Sequence, residues 1–249
     1  MRIDKYMMQA RGVPLMALFL PVIIQLNLIL VNLGVSLALT MPLANITAMV
    51  FLLVATGLIR FRGKQVEKNF FAEWGGSPAI RFLRESNKEY NLYTKNKVKR
   101  FCLLRLSGTG IKKFPTLEEE NADSNEADKK YEACINELRA ITRDTKKHPL
   151  VYAENINYGM WRNLYGVKLF GIIFNSTIIV ANIIGFAVWS DIFSLTLFIV
   201  FVSMAAILII FWIFNANKKQ VKMTADAYAR SLLETCATFS EKQIEITKR

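Results

Sequence analysis

The longest uncharged stretch of the chain limits its fold more than any other feature. Residues 13–59 contain no Asp, Glu, Lys or Arg. A single helix of that length would rise about 70 Å, more than twice the roughly 30 Å of hydrocarbon in a bilayer. The stretch must therefore fold back on itself. Gly34 and Pro42 lie in its least apolar part, so we expect a turn there between helices at 14–33 and 42–59.

A second pair of apolar runs follows later in the chain. Residues 169–190 and 192–215 contain no charged side chain, and Asp191 separates them. Each run is long enough to cross a bilayer. The sequence therefore predicts an all-α integral membrane protein, with four transmembrane helices arranged as two hairpins and a small helical cytoplasmic domain. The first apolar run is too long for a cleaved signal peptide.

Basic residues flank both hairpins, and neither hairpin turn carries Lys or Arg. The flanking residues are Arg2, Lys5, Arg11, Arg60, Arg62, Lys64, Lys68, Arg162, Lys168, Lys218, Lys219 and Lys222. The positive-inside rule then places both termini in the cytoplasm, at the inner membrane of a bacterium. This bias also accounts for the net charge of +12 without a nucleic-acid partner. The expected domains are a first hairpin (1–61), a cytoplasmic helical domain (62–167), a second hairpin (168–215) and a C-terminal cytoplasmic helix (216–249).

The side chains that usually carry chemistry are scarce. All three cysteines, Cys102, Cys134 and Cys236, fall on the predicted cytoplasmic side. Because that compartment is reducing, we expect them to stay unpaired and to fill space in a core. The chain has one histidine, His148, and no clustered metal ligands, so we expect no metal site and no cofactor. Without a nucleophile–base or acid–base arrangement, we expect no enzyme activity and no catalytic residue.

Several helix boundaries can be predicted in the cytoplasmic part. Thr116 and Glu119 have the spacing of a capping box, and Asp123 offers a second helix start. Residues 151–167 predict a helix that runs directly into the third span. Residues 107–112 (SGTGIK) faintly resemble a phosphate loop but lack its spacing, so a plain turn is favoured.

The polar residues within the predicted spans are amides rather than ionisable groups. Helical spacing places them in stripes that contain Gln25, Asn32, Asn45, Asn175 and Asn182. One interpretation is helix packing, with amides bonding between helices. The other is a water-filled pore lined by neutral amides. Since four helices of one chain enclose no useful pore, the second interpretation requires a homo-oligomer.

A charged group lies on the predicted helix that enters the third span. Glu154, Tyr158 and Arg162 are spaced four residues apart and share one face. A buried Glu–Arg network that fixes the domain to the membrane is one interpretation. The alternative is a site for an anionic ligand such as a nucleotide, because guanidinium groups donate paired hydrogen bonds to phosphate. The arginines considered for that site are Arg81, Arg84, Arg143 and Arg162.

These motifs carry a resemblance to known proteins. The segments are 74–78 (WGGSP), 81–84 (RFLR), 142–144 (TRD), 154–159 (ENINYG) and 162–166 (RNLYG). In them the chain resembles an uncharacterised group of small bacterial four-helix membrane proteins, which implies no particular activity. The layout resembles membrane effectors of bacterial antiphage systems, in which a sensed signal leads to membrane disruption.

The resemblance to effectors implies an oligomeric, channel-like protein in the lipid bilayer. Such a protein would permeabilise or depolarise the membrane on a cytoplasmic signal, either a protein or an anionic small molecule such as a nucleotide. The alternative is a non-conducting scaffold or sensor that anchors a cytoplasmic partner through its basic surface.

Overall fold

A computed structural model describes the backbone of residues 5–32, 34, 37–188 and 194–238. Side chains are described in these ranges except at 20, 26–29, 31–32, 37–41, 43–54 and 237–238. Asp191, which separates the two later apolar runs, lies outside the described residues. So do the side chains of Asn32 and Asn45.

Every regular element in these ranges is a helix, and none is a strand, which confirms the all-α prediction. A π-helical turn, Met7–Gly12, precedes the first helix, and a 3₁₀ turn, Thr235–Thr238, follows the last. The helices are α1 (Val13–Asn32), α2 (Leu37–Glu73), α3 (Pro78–Leu83), α4 (Leu92–Arg105), α5 (Leu117–Ala122), α6 (Ser124–Ile141), α7 (Pro149–Val188), α8 (Leu195–Phe214) and α9 (Lys218–Glu234).

Two helices in the described part of the chain are long and apolar enough to cross a membrane, α7 and α8. In α7 the apolar sequence begins at Leu169, whereas α8 is apolar throughout. Many of their aliphatic side chains are exposed, among them Ile173, Val180, Ile184, Ile199, Ile207 and Ile210. Exposed apolar surface of this extent is typical of a site that contacts a membrane or another protein. These helices correspond to the predicted second hairpin, and crossing by all four helices stays a prediction.

The chain divides into two compact units, and the first comprises Met1–Glu67 and Ile156–Val221. Its apolar core joins α1, α2, α7 and α8, and consists of Leu15, Leu18, Ala55, Ile59, Leu164, Val167, Trp212 and Ala216. The Trp212 ring lies directly against Gly171, where a Cβ would overlap the indole. Small residues of this kind let helices approach closely, which strengthens packing where water is absent.

The second unit comprises Lys68–Asn155 and Lys222–Arg249. Its core is built by α3, α4, α6 and α9, with Phe82, Val98, Phe101, Tyr131, Ile135, Leu138, Leu232 and Leu233 among its most buried residues. The rings of Phe114 and Tyr131 stack with their centroids 5.5 Å apart. This unit therefore has an apolar interior of its own.

A disulfide joins two helices in this second core. Cys102 of α4 and Cys134 of α6 are bonded, with their Cα atoms 5.3 Å apart. The prediction that all three cysteines stay unpaired is therefore wrong for these two. They are 32 residues apart in the chain, and only the packing of α4 on α6 brings them together. Cys236 is free and buried in the same core, and burial raises the pKa of its thiol to about 12.

Two buried charges hold the loop between α3 and α4. The Lys95 ammonium, whose residue is 1% exposed, donates to two backbone carbonyls of that loop at 2.6 and 2.7 Å. Glu120 accepts from two backbone amides of the loop and from the Tyr131 hydroxyl at 2.6 Å. Burial alone would raise the pKa of Glu120, but the Tyr131 hydrogen bond and the amides outweigh it and leave that pKa lowered.

The helix starts predicted from the sequence are confirmed. The Thr116 hydroxyl accepts from the amide of Glu119 at 3.2 Å, and the Glu119 carboxylate accepts from the amide of Thr116 at 2.9 Å. Asp123 accepts from the amide of Glu126 at 3.0 Å and so caps α6. Residues 151–167 lie within the uninterrupted helix α7, as predicted.

Candidate functional site

A buried ion pair links α2 to α7 in the first unit. Tyr158 and Arg162 are four residues apart on α7 and therefore share one face. The Tyr158 hydroxyl donates to Oε2 of Glu67 at 3.1 Å. Arg162 donates from Nη1 to the same oxygen. The side chains of Arg162 and Glu67 are only 7% and 16% exposed, so water screens this pair weakly.

The other oxygen of the Glu67 carboxylate is also occupied. Lys64 donates from Nζ to Oε1 at 2.6 Å, and its side chain is 57% exposed. The Arg162 guanidinium lies 5.3 Å from the centroid of the Tyr158 ring. One carboxylate thus faces two cations and a hydroxyl.

The charges around Glu67 decide its protonation. Burial alone would raise the pKa of this carboxyl, but the charges of Arg162 and Lys64 and their hydrogen bonds outweigh it. The pKa of Glu67 is therefore lowered, and the carboxylate stays ionised at neutral pH. An ion pair of this kind holds two helices in register and does not supply a proton donor or acceptor near pH 7.

A third contact in this layer involves the N-terminal turn. The amide group of Asn163 donates from Nδ2 to the backbone carbonyl of Ala10 at 2.7 Å. A Cβ on Gly159 would lie 3.2 Å from the Cβ of Ala10, so the backbones approach closely here. The cluster of Glu67, Tyr158, Arg162 and Asn163, called the polar layer below, therefore joins three segments of the first unit.

Two buried amides lie further along α7. Asn175 and Asn182 are both 0% exposed. Each donates from Nδ2 to the carbonyl four residues earlier in its own helix, Asn175 at 2.7 Å and Asn182 at 2.8 Å. Their Oδ1 atoms accept no hydrogen bond from any described residue, and the buried indole N–H of Trp212 is likewise unpaired within that part of the chain. The interior of this unit thus holds polar atoms without protein partners among the described residues.

The remaining predicted amides can be placed only in part. Gln25 lies on α1 and is half-buried. Asn32 ends α1 and Asn45 lies within α2. Of the predicted stripe residues, only Asn175 and Asn182 are shown by the structure to be buried on one helix face.

Most of the predicted arginines have partners within the chain. Arg84 donates to both carboxylate oxygens of Asp128, at 2.9 and 2.6 Å, while Arg81 lies 3.8 Å from a carboxylate oxygen of Glu89. Arg143 is exposed after α6. Since Arg84 and Arg162 are each neutralised by a carboxylate, neither offers phosphate a free guanidinium.

The sequence analysis identified Tyr158 and Arg162 but missed their partner. Arg162 pairs with Glu67, whereas Glu154, the acidic residue predicted beside it, is half-exposed near the start of α7. Glu67 carries one signal in the sequence, since it is the first acidic residue after the uncharged stretch 13–59 and stands among basic residues.

Neither a metal-binding arrangement nor a relative provides a guide to this site. In the described ranges no three His, Cys, Asp or Glu side chains are grouped so that they would hold a metal ion. Comparisons with protein-family models, with curated proteins and with solved structures found no match.

Proposed function

We propose that this protein is an oligomeric, channel-like membrane effector that depolarises or permeabilises the bacterial inner membrane on a cytoplasmic signal, in antiphage defence. In this proposal α1, α2, α7 and α8 all cross the bilayer, and both termini are cytoplasmic. The observation that carries it is the pair of buried amide oxygens at Asn175 and Asn182 that have no described protein partner.

Unpaired polar atoms are costly in a dry interior. A buried carbonyl oxygen without a donor costs about 1–3 kcal/mol, and hydrocarbon supplies no water to relieve it. Such groups in native proteins mark water, ions or function. Asn175 and Asn182 are seven residues apart, about 10 Å along a helix, so they supply two successive polar steps along α7. Water-lined polar steps of this kind support conduction.

Conduction would require several copies of the chain. Four helices of one chain leave no useful channel between them, so a pore would form from packed subunits or at their contacts. The exposed aliphatic faces of α7 and α8 supply apolar surface for lipid and for neighbouring copies. Rearrangement between subunits would then open a hydrated path beside the amides.

The polar layer supplies a gating element for this proposal. Glu67 of α2 and Arg162 of α7 form a paired, ionised contact. A signal that breaks this contact would release α2 from α7. The helix α7 also carries both buried amides. Transitions between two packed arrangements are the usual way in which a local change moves a helix.

The second candidate is a non-conducting scaffold or sensor that anchors a cytoplasmic partner. The full burial of Asn175 and Asn182 within one chain favours this candidate, because amides that only stabilise packing are expected to be buried in this way. The net charge of +12 suits an anionic partner or lipid surface.

Membrane potential separates the two candidates. Cells that express the protein would be followed with a voltage-sensitive dye, with and without phage infection. We expect wild-type protein to depolarise the membrane and Asn175→Leu or Asn182→Leu to abolish this, with membrane abundance and oligomer size unchanged. Thr177→Val is the matched control, since Thr177 is an exposed polar residue of the same helix.

Two results would contradict the channel proposal. One is wild-type protein confirmed in the membrane without any depolarisation. The other is loss of assembly in the Asn175→Leu and Asn182→Leu variants, which assigns the amides to packing and favours the scaffold.

A further inference from the structure

A lysine-rich cleft lies in the second unit and shares no residue with the polar layer. It lies between the loop that joins α4 to α5 and the first half of α6, and has a volume of about 440 Å³. Lys112 and Lys113 line it from the loop, and Lys129 and Lys130 line it from α6. Glu126 is the acidic residue of the lining. Four ammonium groups against one carboxylate give the cleft a net positive charge.

The ion pairs at this cleft do not neutralise it. Lys113 pairs with Glu119 at 2.6 Å and Lys129 with Glu126 at 3.1 Å, and all four side chains are 44–73% exposed. Exposed pairs of this kind contribute little, so a competing anion displaces them readily. Lys112 and Lys130 form no ion pair within 4.0 Å in the described part of the chain.

The backbone of the loop adds hydrogen-bond donors. Thr109 donates both its amide and its hydroxyl to the carbonyl of Leu106, at 2.9 and 2.8 Å. Gly110 then turns the chain with a φ of 82°. The next amides, those of Ile111 and Lys112, donate to no acceptor among the described residues. Successive unpaired amides beside cationic side chains form the kind of concavity that binds anions.

The composition of the cleft restricts the ligand. None of the described residues that line it is aromatic, so a base or other flat ring finds no stacking surface. Lysine acts on phosphate as a flexible point charge. The cleft is therefore suited to recognise the charged phosphate group of a ligand rather than the rest of that ligand.

We propose that this cleft binds a phosphate-bearing anion through Lys112, Lys130 and the backbone amides of Ile111 and Lys112. The inference deepens the proposed function, on which it rests for its biological role, because it gives the anionic signal a binding site. The phosphate comes either from a free phosphorylated small molecule or from the headgroup of an anionic lipid. The arginines predicted from the sequence are replaced here by lysines on a loop and a neighbouring helix.

Calorimetric titration of the full-length protein tests the binding. The protein would be held in phosphatidylcholine nanodiscs at low salt and titrated with inorganic pyrophosphate. We expect saturable binding that weakens about tenfold or more in Lys112→Gln/Lys130→Gln, as expected for the loss of two ammonium contacts. Lys88→Gln/Lys146→Gln removes the same charge from exposed positions outside this cleft and should bind like wild type.

Two outcomes overturn the proposal: no saturable binding by wild-type protein, or an equal loss in the control variant. To identify the source of the phosphate, the pyrophosphate titration would be repeated in a second set of nanodiscs that contain phosphatidylglycerol. Weaker pyrophosphate binding by wild-type protein in these discs, with no such difference between the discs for the Lys112→Gln/Lys130→Gln variant, identifies the lipid headgroup. Equal binding in both discs identifies a free phosphorylated ligand. This titration measures anion binding and not conductance. A negative result here would therefore rule out the proposed anion site without ruling out the proposed channel.

Discussion

Gly166 of α7 lies directly against the backbone of α2 at Gly63. A Cβ on Gly166 would lie 3.0 Å from the backbone nitrogen of Gly63 and 3.0 Å from the carbonyl carbon of Arg62. Backbone atoms at that distance must shift to admit a methyl group. The close approach places the ion pair of Glu67 and Arg162 between the same two helices.

Substitution of this glycine should destabilise the protein. Alanine raises helix propensity by about 1 kcal/mol over glycine, but in Gly166→Ala overpacking costs about 1–3 kcal/mol. We expect a lower thermal midpoint for purified Gly166→Ala. Gly57→Ala is the control, since a Cβ there meets no atom within 4 Å and should leave the midpoint unchanged or raised. A shift in the same direction for both variants would contradict the close-packing argument.

The buried ion pair should show strong coupling in a double-mutant cycle. Removal of one partner from a buried pair costs about 3–5 kcal/mol, because the other charge is left uncompensated. We expect Glu67→Gln and Arg162→Met each to lower stability by this order, and the double variant to lose less than their sum. Lys64→Met should cost under about 1 kcal/mol, since the Lys64 side chain is exposed. Additive losses in a denaturation series would show that the two residues act independently.

Stability should depend on pH through Glu67. The pKa of this carboxyl in the folded state lies below its ordinary value of 4.5. Its contribution to stability is therefore fully present above about pH 4.5 and is lost as the pH falls through the folded-state pKa. We expect the thermal midpoint to fall less steeply below about pH 4.5 in Glu67→Gln than in wild type. Glu118→Gln, at an exposed position, should retain the wild-type slope, and an unchanged slope in Glu67→Gln would refute the assignment.

Reductant should destabilise the second unit. The bond between Cys102 and Cys134 spans 32 residues, and a cross-link of that length contributes about 3–4 kcal/mol by restricting the unfolded chain. We expect dithiothreitol to lower the thermal midpoint of wild-type protein and of Cys236→Ala alike. The Cys102→Ala/Cys134→Ala variant should not respond to dithiothreitol. A response in that variant would assign the effect to something other than this disulfide.

The state of the disulfide in cells bears on topology. Disulfides persist in oxidising compartments and are rare in the cytoplasm, whereas the basic flanks predict a cytoplasmic location for residues 62–167. If the basic flanks set the orientation in the membrane, thiol labelling of intact cells should find Cys102 and Cys134 largely reduced. An oxidised pair in freshly quenched cells would favour the opposite orientation or a redox role.

Local signals in the sequence predicted several helix starts, although α2 begins at Leu37 with Pro42 inside it and extends to Glu73, beyond the predicted range 42–59. The capping box at Thr116 and Glu119 and the cap at Asp123 each depend on residues within one helical turn. Such features require no knowledge of the tertiary fold. The absence of charge in 13–59 and 169–215, apart from Asp191, likewise marks apolar helices directly.

Contacts between distant segments could not be predicted in the same way. The partner of Arg162 is Glu67, 95 residues earlier in the chain, and no spacing rule connects them. The pairing of Cys102 with Cys134 likewise depends on how α4 packs on α6. The lysine cleft is a third case, because the loop 107–112 gains its neighbours Lys129 and Lys130 only when α6 lies beside it.

The amide stripes illustrate an intermediate case. Helical spacing correctly placed Asn175 and Asn182 on one face, since seven residues make almost two turns. Whether that face turns inward depends on the other helices, and the structure shows both residues buried. Their Oδ1 atoms have no hydrogen-bond donor among the described residues. This depends on how the neighbouring helices pack, which the sequence of α7 alone does not determine.

The discontinuous core of the second unit has a consequence for biosynthesis. Ala229, Leu232, Leu233 and Cys236 complete the core that α3, α4 and α6 begin, yet α9 follows α8 in the chain. The nascent second unit therefore keeps an open apolar groove on the ribosome until both predicted hairpins have been made. Closure of this core must therefore wait until the synthesis of α7 and α8 is complete.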